Sequence, residues 1–112
     1  MINGGHVIIY SRNPEADRDL FRNVLGFGYV DAHDGWLIFK LPPSEVAFHP
    51  SEVNDLHEFY LMTDDLDADI AALKKASVTC AEPVQQRWGR VTRIKLPGGG
   101  NLGLYQARHP RP

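Results

Sequence analysis

The sequence has a single cysteine, Cys80, among its 112 residues. No disulfide can form between these residues, and Cys80 itself, in a predicted loop without a basic neighbour, is expected to be inert. The formal net charge is only −2 and no long charge run occurs, which argues against nucleic-acid binding. No apolar run approaches the roughly 20 residues of a membrane-spanning helix, and no secretion-signal pattern opens the chain. We therefore expect a soluble, cytoplasmic protein without nucleic-acid or membrane partners.

The sequence does contain enough hydrophobic residues, 43% of the total, to form the core of one domain of common size. It also contains a weak internal repeat, in which His6–Tyr10 matches Glu58–Met62 at an offset of 52 residues (58 − 6). Each stretch opens with a residue able to bind a metal. Seven places after the opener lies a helix-capping residue, Asn13 in one copy and Asp65 in the other. The repeat predicts two similar modules.

The first module, residues 1–50, is predicted to contain a strand, a helix and three more strands. Asn13 and Pro14 form a helix start, with a capping side chain followed by proline at the first helical position, and Gly26 ends the helical pattern. Apolar runs bounded by turn residues indicate the strands. The predicted strands are His6–Ser11, Tyr29–Ala32, Trp36–Leu41 and Val46–His49.

The second module, residues 57–106, follows a polar linker at residues 51–56 and repeats this order. Asp64 and Asp65 compete for the helix cap, and a basic, proline-rich tail at residues 107–112 is either disordered or laid against a partner. We therefore predict an α+β fold with two βαβββ modules in a single domain, whose curved mixed sheet forms a cup with helices on its outer face. The predicted strands of this module are Glu58–Thr63, Glu82–Gln86, Gly89–Leu96 and Leu102–Gln106.

In this order and spacing the sequence resembles the vicinal oxygen chelate superfamily, which includes glyoxalase I, extradiol dioxygenases, fosfomycin-resistance enzymes and bleomycin-binding proteins. The resemblance covers essentially the whole chain and slightly favours a metal-dependent enzyme. Such an enzyme would carry out lyase, isomerase or dioxygenase chemistry on a small substrate with two adjacent oxygens. The alternatives are a metal-free small-molecule-binding protein of the bleomycin-resistance type and, more weakly, a structural or regulatory partner domain. The resemblance is carried by the His6 strand, Asn13-Pro14-Glu15, Val24-Leu25-Gly26-Phe27, the Glu58 strand with Asp64-Asp65-Leu66, and the run from Pro97 to Tyr105.

Members of this superfamily typically place metal ligands on the first and last strand of each module. By that pattern His6 and Glu58 are the expected ligands of a divalent ion such as Zn, Fe, Ni or Mn. Glu58 would also serve as the catalytic general base. His57 replaces Glu58 in the cup if the strand register slips by one residue.

The two remaining ligand positions hold residues that cannot bind a metal. Ala47 occupies the position on the last strand of the first module. Gly103 occupies the position where metal-dependent relatives usually have a glutamate. His49, two residues after Ala47, is a weak substitute ligand. These departures support the metal-free alternative.

For a metal-free protein, the candidate ligand-binding residues are aromatic or lie beside aromatic positions. Tyr60, Trp88 and Tyr105 would hold a small planar or amphipathic compound between their rings. Met62 shares a strand face with Tyr60, and Arg93 would clamp a carboxylate or phosphate. Because neither module can cover its own cup face, we expect a homodimer.

Overall fold

The computed structural model of the protein describes residues 6–112. This part of the chain folds into two α-helices, one π-helical turn and six strands in two sheets. None of these helices is long and apolar enough to cross a membrane. The elements in order are α1 (Pro14–Asp19), the π-helical turn (Leu20–Val24), β1 (Tyr29–Asp31), β2 (Leu37–Phe39), β3 (Tyr60–Met62), α2 (Leu66–Lys75), β4 (Val84–Gln86), β5 (Gly89–Lys95) and β6 (Asn101–Ala107).

The larger sheet belongs to the second module and has the strand order β3-β6-β5-β4. β3 and β6 run parallel, whereas β5 is antiparallel to both of its neighbours. A parallel pair requires a long connection between its strands, and α2 lies within that connection. The predicted α+β class, with two helices and a mixed sheet, is confirmed.

The hydrophobic core includes one face of this sheet and α2. Side chains alternate along a strand, so Leu61 packs against the core while Tyr60 and Met62 point to the opposite face. We call that opposite face of the four-stranded sheet the cup face. Leu66 is fully buried, and its backbone N–H donates to Oε1 of Gln106 at 2.9 Å. The buried hydrophobic residues are Leu20, Phe21, Leu66, Leu73, Ile94, Leu96, Leu102 and Leu104.

Both helices begin where their capping residues predicted. The side chains of Asn13 and Asp65 each accept a hydrogen bond from the backbone N–H three residues later, so Asp65 rather than Asp64 caps α2. The prediction of one regular first helix is wrong in detail. From Leu20 the backbone forms a π-helical turn, with the Leu25 N–H donating to the Leu20 carbonyl at 3.0 Å. Gly26, at φ +71°, then ends the helical segment.

The first module has only a two-stranded sheet, in which β1 and β2 pair antiparallel. The strands predicted at His6–Ser11 and Val46–His49 are wrong, because neither segment forms a strand in the structure. Their counterparts in the second module, β3 and β6, pair with each other. Strand formation requires a partner for the backbone N–H and C=O groups, and no described strand pairs with either segment. Ile8 and Phe48 are consequently 60% and 93% exposed.

The other predicted strands are present with narrower bounds, except β6, which extends one residue beyond the predicted Leu102–Gln106 at each end. β4 begins at Val84 rather than Glu82, and Pro83 between them has no N–H to donate to a neighbouring strand. β3 begins at Tyr60, which leaves Glu58 just outside the sheet. The residue chosen as the second metal ligand therefore precedes the strand that was to position it.

Two sets of polar contacts join the first module to the rest of the described chain. Asp17 in α1 accepts a hydrogen bond from the backbone N–H of Gly98, in the loop between β5 and β6, at 2.8 Å. The tail lies against the first module, with Arg111 and His109 approaching Glu45 at 3.5 and 3.8 Å. The tail thus contacts its own chain, which is neither of the two alternatives predicted for it.

Candidate ligand-binding site

Three aromatic side chains meet on the cup face and form what we call the aromatic cluster, Tyr60, Trp88 and Tyr105. Tyr60 comes from β3, Tyr105 from β6, and Trp88 from the turn between β4 and β5. Their ring centroids are 6.0 Å apart for Tyr60 and Trp88, 5.6 Å for Tyr60 and Tyr105, and 5.0 Å for Trp88 and Tyr105, all edge to face. This geometry is favourable for aromatic pairs. Trp88 remains 38% exposed, so the cluster is accessible from solvent.

The Tyr60 ring lies directly over Gly103, its register partner on β6. A Cβ built on Gly103 would come within 2.5 Å of Cε1 of Tyr60 and nearer still to Cδ1. Any side chain at residue 103 would therefore displace the ring. Gly103, which the sequence resemblance matched to a ligand glutamate of metal-dependent proteins, allows the close approach of an aromatic ring here.

Charged groups border Tyr60 on two sides. Its hydroxyl donates to Oε2 of Glu58 at 2.8 Å, and the guanidinium carbon of Arg93 lies 5.9 Å from the ring centroid. Burial raises the pKa of the Tyr60 hydroxyl, and Glu58 raises it further while Arg93 opposes the change. Near neutral pH Tyr60 is thus a hydrogen-bond donor held by a carboxylate.

Tyr105 is held by the tail. Its hydroxyl lies 3.0 Å from Nε2 of His109, and the two ring centroids are 5.9 Å apart. Burial raises the pKa of the Tyr105 hydroxyl, and Glu45 adds to the effect. His109 and Glu45 were not identified from the sequence. The position of His109 four residues after Tyr105 was a usable signal, whereas nothing in the sequence indicated Glu45.

The structure brings together four of the five predicted ligand-binding residues. Arg93, on β5, borders the aromatic cluster. The fifth, Met62, is half-buried on β3 and is the register partner of Tyr105. Tyr60, Met62, Arg93 and Tyr105 share one face of the sheet because strand pairing aligns their side chains.

The proposed metal ligands do not form a comparable group. His6 is exposed in a segment without a strand, and Glu58 is engaged by Tyr60. His49 is also exposed, with Nδ1 2.7 Å from the carbonyl of Pro50. Within residues 6–112 no three His, Cys, Asp or Glu side chains come close enough to hold an ion. Since the Tyr60 ring also fills the space over Gly103, these residues do not fit a metal centre of the expected kind.

A wide groove of about 530 Å³ lies away from the aromatic cluster, beside α2. Its lining includes Cys80, whose thiol pKa is raised by burial, and the ion pair between Arg90 and Asp67 at 2.7 Å. A raised thiol pKa leaves little thiolate at neutral pH, so this groove offers no activated nucleophile.

Comparison with known proteins gives matches among solved structures only. No protein-family model matches the chain, and no curated protein does. Among solved structures, TnmS3, an antibiotic binding protein from Streptomyces sp. CB03234, is 25% identical with a TM-score of 0.64 over 92% of this chain and 99% of that one. A glyoxalase/bleomycin resistance protein from Streptomyces sp. CB03234 is 28% identical, with a TM-score of 0.59 over 83% and 90%.

A member of the glyoxalase/bleomycin resistance protein/dioxygenase superfamily from Sphaerobacter thermophilus DSM 20745 is 25% identical, with a TM-score of 0.63 over 94% of this chain and 98% of that one. The structural neighbours are thus members of this superfamily over most of the chain, and the resemblance inferred from the sequence is confirmed. The superfamily includes both enzymes and binding proteins, so the fold alone does not decide between the two predicted functions.

Proposed function

We propose that this chain is a metal-free protein that binds a small planar aromatic compound against the aromatic cluster. The observation that carries the proposal is the Tyr60 ring packed over Gly103, in the space where a metal-binding side chain would have to lie. A flat ligand can stack on exposed ring faces, and each such contact adds about 0.5–1.5 kcal/mol beyond the area that it buries. The metal-dependent enzyme is the less favoured alternative, because the ligand set it requires is incomplete.

Likeness to TnmS3 supports the same conclusion. That protein is described as antibiotic binding, and it matches nearly its whole length to this chain at 25% identity. We extend to the present chain only the class of activity, reversible capture of a small organic molecule. The lone cysteine is consistent with our placing this activity in the cytoplasm, in a single domain of two modules.

The proposal includes a second copy of the chain that completes the cup. Support comes from the first module, whose segments at residues 6–10 and 46–48 present apolar side chains to solvent, among them Tyr10 at 92% and Phe48 at 93% exposure. Burying one such side chain contributes about 1.5–3 kcal/mol. Sizing chromatography over a range of concentrations should give a dimer, and Phe48→Asp should shift it towards monomer. A wild-type protein that remains monomeric throughout would contradict this part of the proposal.

The central test is a thermal-shift screen of planar aromatic compounds with a strong chelator present. A ligand at about 100 times its Kd raises the free energy of unfolding by about 2.7 kcal/mol, which gives a clear rise in Tm. Trp88→Ala should weaken binding by up to about ten-fold. Trp36→Ala is the matched control, since Trp36 is also exposed but contacts Arg18 instead of the cluster. Stabilisation that occurs only after a divalent metal is added would refute the proposal in favour of the enzyme.

A further inference from the structure

We infer that the ligand is an acidic aromatic compound, and that Arg93 is the residue that selects it by pairing with its anionic oxygen. The inference rests on the proposed function, which it narrows to one chemical class. Its geometric basis is the strand register. Arg93 pairs with Gly103, and Gly103 pairs with Tyr60, so the three residues lie side by side across the cup face.

Among the described residues, Arg93 has no ionic partner that an acidic ligand would have to displace. It is exposed, and in the described part of the chain no carboxylate lies within 4.0 Å of its guanidinium. The carboxylate nearest to Tyr60 is that of Glu58, and this group accepts the Tyr60 hydroxyl instead. Arg93 therefore carries a permanent positive charge and a planar set of N–H donors without an ionic partner.

The position of Arg93 suits a ligand that is both flat and acidic. Its guanidinium lies 5.9 Å from the Tyr60 ring centroid, so a ring placed on the aromatic cluster brings its substituents to the guanidinium. A carboxylate substituent can accept two parallel N–H bonds from the arginine. Lys95 follows two residues later on the same strand face and makes no ion pair among residues 6–112 either. Two cations on this side of the cup favour anionic over neutral or cationic aromatics.

The test compares two probes that share one ring system, naphthalene carboxylate and the neutral naphthalene carboxamide, by isothermal titration calorimetry at neutral pH. Because the bound ring would shield the pair between its carboxylate and Arg93 from water, as it would not shield Lys95, the carboxylate should bind about 10- to 100-fold more tightly, the range expected for a hydrogen-bonded charge. Arg93→Gln should abolish that preference by weakening carboxylate binding far more than carboxamide binding. Arg93→Lys should retain only part of the preference, since lysine keeps the charge but loses the planar fork.

Lys95→Gln is the matched control, because it removes an equal charge from the same strand face farther from Tyr60. It should weaken carboxylate binding by less than about five-fold, as expected for an exposed charge. Equal binding of the two probes to the wild type would overturn this inference and leave the proposed function standing. Equal losses in Arg93→Gln and Lys95→Gln would also overturn it, because the preference would then come from general charge. Binding of neither probe would overturn the proposed function together with the inference. Unchanged Tm values in the variants ensure that each loss is one of binding and not of folding.

Discussion

The close packing of Tyr60 on Gly103 predicts that the smallest possible side chain at residue 103 will damage both stability and binding. In Gly103→Ala the new Cβ would lie within 2.5 Å of Cε1 of Tyr60, so the ring must move. Gly103 is buried and does not have a positive φ, so its backbone accepts alanine without strain. The damage would therefore come from the ring alone, and overpacking of this kind costs about 1–3 kcal/mol.

A double-mutant cycle isolates this contact. In Tyr60→Ala the three atoms nearest to the added methyl group at residue 103, all of them in the Tyr60 ring, are removed. In this background Gly103→Ala should raise the free energy of unfolding by about 0.5–1 kcal/mol, because alanine has less conformational freedom than glycine in the unfolded chain. Gly103→Ala should therefore lower the free energy of unfolding when the Tyr60 ring is present and raise it in Tyr60→Ala. The difference between the two effects is a coupling free energy of at least about 1.5 kcal/mol, which is typical of residues in contact.

Urea unfolding of the four proteins in the cycle measures the coupling, and equal m-values show that the unfolded states are comparable. The displaced ring should also lose its hydrogen bond to Glu58 and weaken the capture of planar compounds. If Gly103→Ala changed the free energy of unfolding equally with and without the Tyr60 ring, the packing argument would be wrong. The principal support for a metal-free site would be lost with it.

Three further predictions concern other parts of the chain. Ser77, at φ +63°, follows α2 in the left-handed region that favours glycine, so Ser77→Gly should raise the free energy of unfolding by about 0.5–1 kcal/mol in urea titrations. The raised pKa of Tyr60 means that its contribution to stability is complete below pH 10.0 and is lost as pH rises through its folded-state pKa. Subtracting the absorbance titration of Tyr60→Phe from that of the wild type should show this high pKa, and Glu58→Gln should lower it; an unchanged value would count against the Glu58 contact. Cys80 should react with thiol reagents more slowly than a free cysteine at neutral pH, because burial raises its pKa, and fast labelling of the folded protein would disprove this.

The features that could be predicted from the sequence were those decided by nearby residues. Asn13 and Asp65 predicted both helix starts, since a cap acts within one turn. The glycine-rich run after Pro97 predicted the connection between β5 and β6. Alternation along the Glu58–Thr63 stretch predicted that Tyr60 and Met62 share one face. Each of these features is determined by residues close in the sequence and does not depend on contacts with distant parts of the chain.

Features that depend on distant partners were missed. Alternation shows that residues 6–11 are able to form a strand, but not that a partner strand lies beside them. The same limit applied to the tail, because its contact with Glu45 joins residues far apart in the sequence. From the sequence, Gly103 was identified only as a residue that cannot bind a metal. Its structural role could not be predicted, because that role depends on the Tyr60 ring of a neighbouring strand.

A metal-binding side chain at residue 103 is incompatible with the Tyr60 ring position in this structure. A carboxylate side chain at residue 103 and the ring of Tyr60 would occupy the same space on adjacent strands. Exchange of Gly103 for glutamate alone would therefore produce a displaced ring and not a metal site. On the ligand pattern that the sequence resemblance implies, a metal centre would also require a small residue in place of Tyr60, which would release Glu58 from its hydrogen bond, and a donor in place of Ala47. Because these changes are useful only together, the glycine and the tyrosine are best understood as one unit, and their combination is the main support for the proposed binding function.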